Sequence, residues 1–406
     1  MRETYTLRTM SIYDEPNYKL AKSLSIVTGR WPYQTYGQSF ILVAIIWIAF
    51  TLQAVPQNAF QTLAIILHFH DREVLLEAMA PYIIDIMFVA KYMNASYSAK
   101  LMKICFDKIK TDWTLLHNDE EKRILTYHAN IGRLISTGYS GFAAVTTAIF
   151  IVEPIIPRIV NEITKSNVTI PLRFALPVEY VIFEKENYFW LMFTITNLFA
   201  INMIIVIIMC DVVFITCVQH VCGLFAVVGF RIESTPLGKV VKEEAKGKIS
   251  SDASYKHLVS CIRSHRRALE FADLLEDTFS KSFGVVVALN LPMMSVTAMQ
   301  IITQSNTVQQ ILKYLSFAFA QMLHLYFDCF MSQNLTDKSV RIQKCIANVK
   351  YYDLSIESQK LLLLMTMRSQ IPCKVTAAKI MELSIENFGN MVKTSGSYFT
   401  MLMSMG

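Results

Sequence analysis

Charged residues are scarce in this chain. They are 17% of the 406 positions, hydrophobic residues are 53%, and the mean hydropathy is +0.37. A soluble domain carries about 25% charge, so the shortage excludes an ordinary soluble surface and points to a membrane protein. Glycine (13) and proline (11) are also few. No stretch is of low complexity and no internal repeat is visible, which excludes linker-rich and repeat architectures. The sequence has no glycine-rich phosphate loop, no nucleophile elbow and no zinc-binding spacing. We read no enzyme, cofactor, metal or nucleic-acid partner from it. "HFHD" at His68–Asp71 sets two histidines at i, i+2, and His220 stands two residues before Cys222. Neither pair shares a helix face, so His220 is expected to be a buried, hydrogen-bonded histidine.

The N-terminal stretch "MRETYTLRTMSIYDEPNYKLAKSLS" lacks the apolar core of a signal peptide. The first true span is therefore expected to drive insertion, with the N-terminus cytosolic. A spanning helix needs about 20 apolar residues. Six segments qualify: Tyr36–Val55, Leu75–Met102, Ile131–Ile156, Phe189–Gly229, Phe283–Ile302 and Val308–Met331. The fourth exceeds what a bilayer needs and should project beyond it. A seventh runs from about Thr376 to the end. With the N-terminus inside, the inner segments hold about 27 Lys and Arg and the outer ones about 5, which orients the chain N-in, C-out. The sequon at Asn167 then lies outside as a glycosylation candidate, whereas those at Asn334 and Asn94 fall inside and within a span. None of the eight cysteines lies in an outer loop, so a disulfide-poor protein is expected.

Below the membrane, "IESQKLLLLMTMRSQ" reads as a helix too short to span, ended by Pro372. "VSCIRSHRRALEFADLLEDTFSKSF" reads as amphipathic, and its Leu258, Ile262, Leu269, Leu274 and Leu275 need a partner. The expected fold class is an all-α membrane protein. It has seven transmembrane helices, a cytosolic N-terminus, an extracellular C-terminus and a cytosolic helical anchor bundle. Its parts are a cytosolic segment (1–35), the first six spans (36–333), the anchor helix (334–372) and the last helix (373–406). Of the in-span charges, Lys91, Asp211 and Asp328 come late or low in their helices, where local pairing or snorkelling is expected. Asp85 carries the functional flag that intramembrane charge raises.

In the last helix, Glu386, Asn390, Thr394, Ser397, Met401 and Ser404 follow spacings of 4, 4, 3, 4 and 3, which align them on one face. Such a stripe either packs against neighbouring helices or faces water in a pore shared between subunits. In a pore, Met401 is the single apolar constriction. Seven spans also suggest a G-protein-coupled receptor. The orientation opposes that, and no acidic-Arg-Tyr triplet or Asn-Pro-x-x-Tyr is present. The paired, interrupted helices of a transporter are not visible either.

Several stretches carry a resemblance: the closing "TSGSYFTMLM", "GRWPYQ" at Gly29–Gln34, "KTDW" at Lys110–Trp113, and Asp211 followed by "QHVCGLF" in the fourth span. Together they resemble the insect odorant receptor family over essentially the whole chain, most closely the tuning class of hymenopteran type. The Gln-Phe of related gustatory receptors and the long insertion of the shared co-receptor are both missing.

The resemblance implies a tuning subunit of a non-selective, odorant-gated cation channel, a heterotetramer formed with the olfactory co-receptor. It implies multi-pass residence in the plasma membrane of a sensory-neuron dendrite. The ligand is a small volatile odorant, bound in the outer halves of the second, third, fourth and sixth spans. Candidates there are Tyr82, Ile83 and Ile86; Tyr139, Phe142 and Thr146; Phe193 and Asn197; and Tyr314 and Phe317. By the same resemblance the last helix lines the pore through Asn390, Thr394, Ser397, Met401 and Ser404, with Met401 where Val or Leu is common. The alternative is a metabotropic or structural seven-helix membrane protein with no pore of its own.

Overall fold

The computed structural model describes residues 11–34, 36–67, 70, 72–116, 118–165, 185–236, 246–303 and 307–404. Asn167 lies outside the described residues. Eleven α-helices form the fold among those described: α1 (Pro16–Val27), α2 (Tyr36–Leu67), α3 (Arg72–Tyr97), α4 (Ala99–Thr114), α5 (Asp119–Val152), α6 (Ile156–Thr164), α7 (Lys185–Glu233), α8 (Lys246–Thr303), α9 (Val308–Ala347), α10 (Ile356–Ser369) and α11 (Ile385–Ser404). Each apolar segment read from the sequence falls wholly or mostly in one of them. Three stretches are long and apolar enough to cross a membrane by length and composition: Asp119–Thr164, Asn187–Glu233 and Ala253–Thr303.

Local chemistry sets several helix starts. Asn118 accepts the Glu121 N–H at 3.0 Å, and three acidic residues follow in the first turn of α5. Thr307 and Gln310 form a capping box at the start of α9. Pro16 opens α1, where its missing N–H costs nothing.

The hub is α7, which packs against α1, α2, α3, α5, α8 and α9. Its 49 residues extend about 70 Å at 1.5 Å per residue, more than twice the hydrocarbon thickness of about 30 Å. Where α7 meets α5 the helices approach closely through glycines. A Cβ at Gly223 would lie 2.6 Å from Leu125 Cδ1, and one at Gly132 would lie 3.2 Å from Gln219 Cβ. The amphipathic segment before the fifth span is continuous with that span in the 58-residue α8. Its Leu258 and Leu275 are fully buried, and Ile232, Ile342, Leu362 and Met365 share their core. The ends of α7, α8 and α9 thus form one bundle with α10.

The last helix begins later than its hydrophobicity suggests. From Thr376 the chain forms a small antiparallel hairpin, β1 (Thr376–Ala377) paired with β2 (Met381–Glu382), and α11 starts only at Ile385. Ala378 and Lys379 take positive φ angles of 54° and 60° at its turn. The hairpin is pinned to α8. Glu276 accepts from the Thr376 N–H at 2.8 Å and from the Thr376 hydroxyl. The Ala378 N–H donates to the Ser280 carbonyl at 2.8 Å. Gly284 makes this possible, because a Cβ there would lie 2.5 Å from that of Ala378.

Candidate functional site

The motifs that stood out in the sequence converge in space. Tyr13, Trp31, Tyr33 and Phe106 form an aromatic cluster, mostly edge-to-face, with the contacting ring centroids 5.1–5.7 Å apart. Trp113 donates to the Tyr18 hydroxyl at 2.9 Å. Asp112 accepts from Arg267 at 2.6 Å and lies 3.2 Å from His220 Nε2. His220 is thus the buried, hydrogen-bonded histidine expected. These groups tie α1, α4, α7 and α8 together at one end of the bundle.

Higher on α7, a second polar knot is enclosed by apolar helices. Lys91 of α3 is paired with Asp211 of α7, and the Tyr139 hydroxyl donates to the same carboxylate at 2.7 Å. His324 of α9 lies 2.7 Å from Lys91 Nζ, 3.3 Å from Asp211 and 3.8 Å from Asp328. Asp211, His324 and Asp328 bring ligand atoms within 4.8 Å of one another, as a metal ion requires. The Lys91 ammonium contacts two of the three, Asp211 and His324. Lys91 and Asp211 are paired across helices, while Asp328 lies beside His324.

Towards the opposite end from the aromatic cluster, α3, α5, α7, α8 and α9 line a cavity of about 130 Å³. Pro81, Ile84, Phe150, Met203 and Phe317 give it an apolar wall. The polar groups on the wall are mostly committed elsewhere. The Thr146 and Thr147 hydroxyls donate to Phe142 and Ala143 carbonyls one turn back, at 3.1 and 2.8 Å. Gln300 donates to the Leu76 carbonyl at 2.7 Å. Lys313 lies 3.3 Å from Glu153 and 3.9 Å from Glu77, and over the Phe150 ring at 4.8 Å. Asp85 also lines the cavity.

Of the candidates named from the sequence, Thr146, Tyr314 and Phe317 line this cavity, and the other seven do not. Tyr139 is spent on Asp211. Phe142 packs on Phe319 at 5.4 Å, and Phe193 stacks on Phe189 at 5.8 Å. Ile83 belongs to a small core with Met87, Val286 and Met293. Tyr82 is half-buried, Ile86 is exposed and Asn197 is buried. The sequence reading missed Ile84, Phe150, Met203, Gln300 and Lys313. The charge of Asp85 within a span was the one signal it offered for an unnamed wall residue.

The last helix is fastened by one face only. Met391 is 3% and Ser395 4% exposed, and Ser395 is bonded to α8. Phe388 packs edge-on against Tyr326 of α9, with centroids 5.6 Å apart. Asn390, Thr394, Ser397, Met401 and Ser404 are all on the exposed face, Met401 at 57%. Thr394 and Ser397 donate their hydroxyl hydrogens back to Asn390 and Lys393 carbonyls, at 2.8 and 3.2 Å. Their oxygens still face outward as acceptors.

The fold and its long apolar helices define an all-α membrane protein. The family model described as "7tm Odorant receptor" matches residues 71–396, and the chain belongs to this insect odorant receptor family. Odorant receptor Or2 of Anopheles gambiae is 22% identical over 337 residues, covering 80% of this chain and 84% of the relative. Odorant receptor 22c of Drosophila melanogaster is 20% identical over 403 residues, covering 95% and 96%. Among solved structures, the insect olfactory receptor OR5 from Machilis hrabei superposes with a TM-score of 0.76 at 11% identity, over 96% of this chain and 97% of that one. The same receptor in complex with eugenol gives a TM-score of 0.75, over 96% and 98%.

Proposed function

We propose that this chain is the odorant-binding, tuning subunit of a ligand-gated, non-selective cation channel formed with the olfactory co-receptor. In this reading α2, α3, α5, α7, α8, α9 and α11 are the seven spans, with the N-terminus cytosolic and the C-terminus outside. The assembly is a heterotetramer in the plasma membrane of the sensory dendrite. A small volatile odorant enters the cavity among α3, α5, α7, α8 and α9, and α11 lines a pore at the centre of the assembly. Odorant acts by binding more tightly to the subunit conformation in which α11 has moved outward.

One observation carries the reading: the polar stripe of α11 is turned out of the subunit while its apolar face is turned in. A stripe used up in packing within the chain would be buried. Asn390, Thr394, Ser397 and Ser404 instead offer oxygens able to replace part of an ion's hydration shell, and Met401 offers an apolar ring that can dewet. The cavity supports the ligand half of the reading, since small apolar molecules need an enclosed apolar wall with few polar handles.

The test is electrical. The chain is expressed with the co-receptor in cells whose G-protein signalling is blocked, and an odorant panel is applied. A fast cation current that persists under the block is expected. A response abolished by the block favours the metabotropic reading. In the same cells, Met401→Ala is expected to raise basal current or alter permeation.

A further inference from the structure

The cavity wall contains one charge the chain leaves unanswered. Asp85 is 1% exposed, and neither of its carboxylate oxygens has a hydrogen-bond partner. The one polar side chain beside it, the Gln61 amide of α2, approaches the carboxyl without a well-formed hydrogen bond. The wall's only cation among the described residues, Lys313, is held by Glu153 and Glu77 and by the Phe150 ring. Three acidic side chains thus stand against one ammonium, and the unpaired one, Asp85, borders the cavity. A buried carboxylate without a partner is costly. Sequences retain such groups where a ligand completes them.

We propose that Asp85 makes this receptor selective for small basic amines with an apolar body. The proposal rests on the reading that this cavity is the odorant site. An amine supplies what the wall lacks: two or three N–H donors for two free oxygens, on the one functional group that leaves the pair electrically neutral. Neutrality holds whichever partner brings the proton, as ammonium with carboxylate or as amine with carboxylic acid. An alcohol of the same shape offers a single donor and leaves the charge state of Asp85 unchanged. A carboxylic acid adds like charge to a wall already rich in it. The apolar body fills the space among Ile84, Phe150, Met203 and Phe317.

The test compares three ligands of one shape, cyclohexylamine, cyclohexanol and methylcyclohexane, on the receptor co-expressed with the co-receptor. Current and the thermal stability of the fluorescently tagged complex are both read. The amine should be at least about tenfold more potent than the alcohol, the effect of one charge-assisted contact, and should raise the melting temperature further. Asp85→Asn should bring amine and alcohol to equal potency. Asp85→Glu should keep the preference, which separates charge from folding. Equal potency and equal stabilisation by amine and alcohol, or no stabilisation by the amine, overturn the proposal. The companion variant Ala320→Phe fills the cavity. If it abolishes responses to neutral odorants while the amine shows no advantage, amine selectivity fails and the odorant site stands. If it changes no odorant response, the cavity is not the odorant site and both readings fall.

Discussion

The Ser295 hydroxyl of α8 donates to the Ser395 carbonyl of α11 at 2.8 Å, and the Ser395 hydroxyl donates back to the Leu291 carbonyl at 3.0 Å. This reciprocal pair fixes the rotation of the last helix. Because Ser395 faces α8, Ser397, about 200° round the helix, and Thr394, about 100° round, face away from it. Small side chains at both positions let the backbones approach, as in other helix pairs within membranes.

Replacing Ser395 by Ala removes one hydrogen bond, worth about 1 kcal/mol, and should leave a functional channel. Ser395→Leu removes the same bond and adds two further heavy atoms where α11 meets α8, and should loosen that contact. Whole-cell recording with the co-receptor is expected to show near-normal odorant responses for the first variant. For the second it should show raised basal current or none. Equal behaviour of the two would mean that this contact does not seat the helix.

The Lys91–Asp211 pair makes a stability prediction. Removing one member of a buried ion pair costs about 3–5 kcal/mol, because the other is left uncompensated. Lys91→Met leaves Asp211 and Asp328 with only His324 as a cation donor, so the yield of monodisperse protein in detergent should collapse. Adding Asp211→Asn to the same chain should restore part of it. A single variant as stable as the parent would show that the pair contributes little.

On the proposed topology, two histidines outside the spans are buried without charge. Burial holds His128 down to about 4, helped by the nearby Lys338 and Arg341 charges and opposed by its Gln219 contact. His265 is held down to about 4 by burial and by Arg368. The unfolded chain binds protons near pH 6.5 and the folded one does not until about pH 4. Stability is therefore complete above about pH 6.5 and falls as pH drops through this window, by roughly 3 kcal/mol per histidine at its lower end. Thermal unfolding of purified protein should show a lower melting temperature at pH 5 than at pH 7.5. His128→Gln should flatten the slope.

Much of the fold was legible in the sequence because membrane helices declare themselves by hydropathy. The need of Leu258, Ile262, Leu269, Leu274 and Leu275 for a partner was legible too, and they found the anchor bundle. The hairpin at Thr376–Glu382 was not. Its turn uses Ala378 and Lys379 at positive φ, without the glycine or asparagine that signals such a turn. The hairpin is held instead by Glu276 and Ser280, about a hundred residues away. The polar stripe of α11 was legible because a 3.6-residue period acts within one helix. The cavity was not, because which face of α3 or α5 meets it depends on packing between helices. Tyr139 had the right chemistry for a ligand wall and was turned to Asp211. Ile84, one residue from the chosen Ile83, is on the wall.

The central claim is that the stripe of α11 faces the conducting water. Its most direct measurement is cysteine accessibility in the assembled channel. All eight native cysteines are buried, so background modification should be low. Ser397→Cys, Thr394→Cys and, on the inward face, Met391→Cys are each expressed with the co-receptor. They are then exposed during odorant application to a positively charged, membrane-impermeant methanethiosulfonate. Rapid, irreversible loss of current is expected for Ser397→Cys and Thr394→Cys and none for Met391→Cys. Modification of Met391→Cys with the two stripe positions unaffected would contradict it.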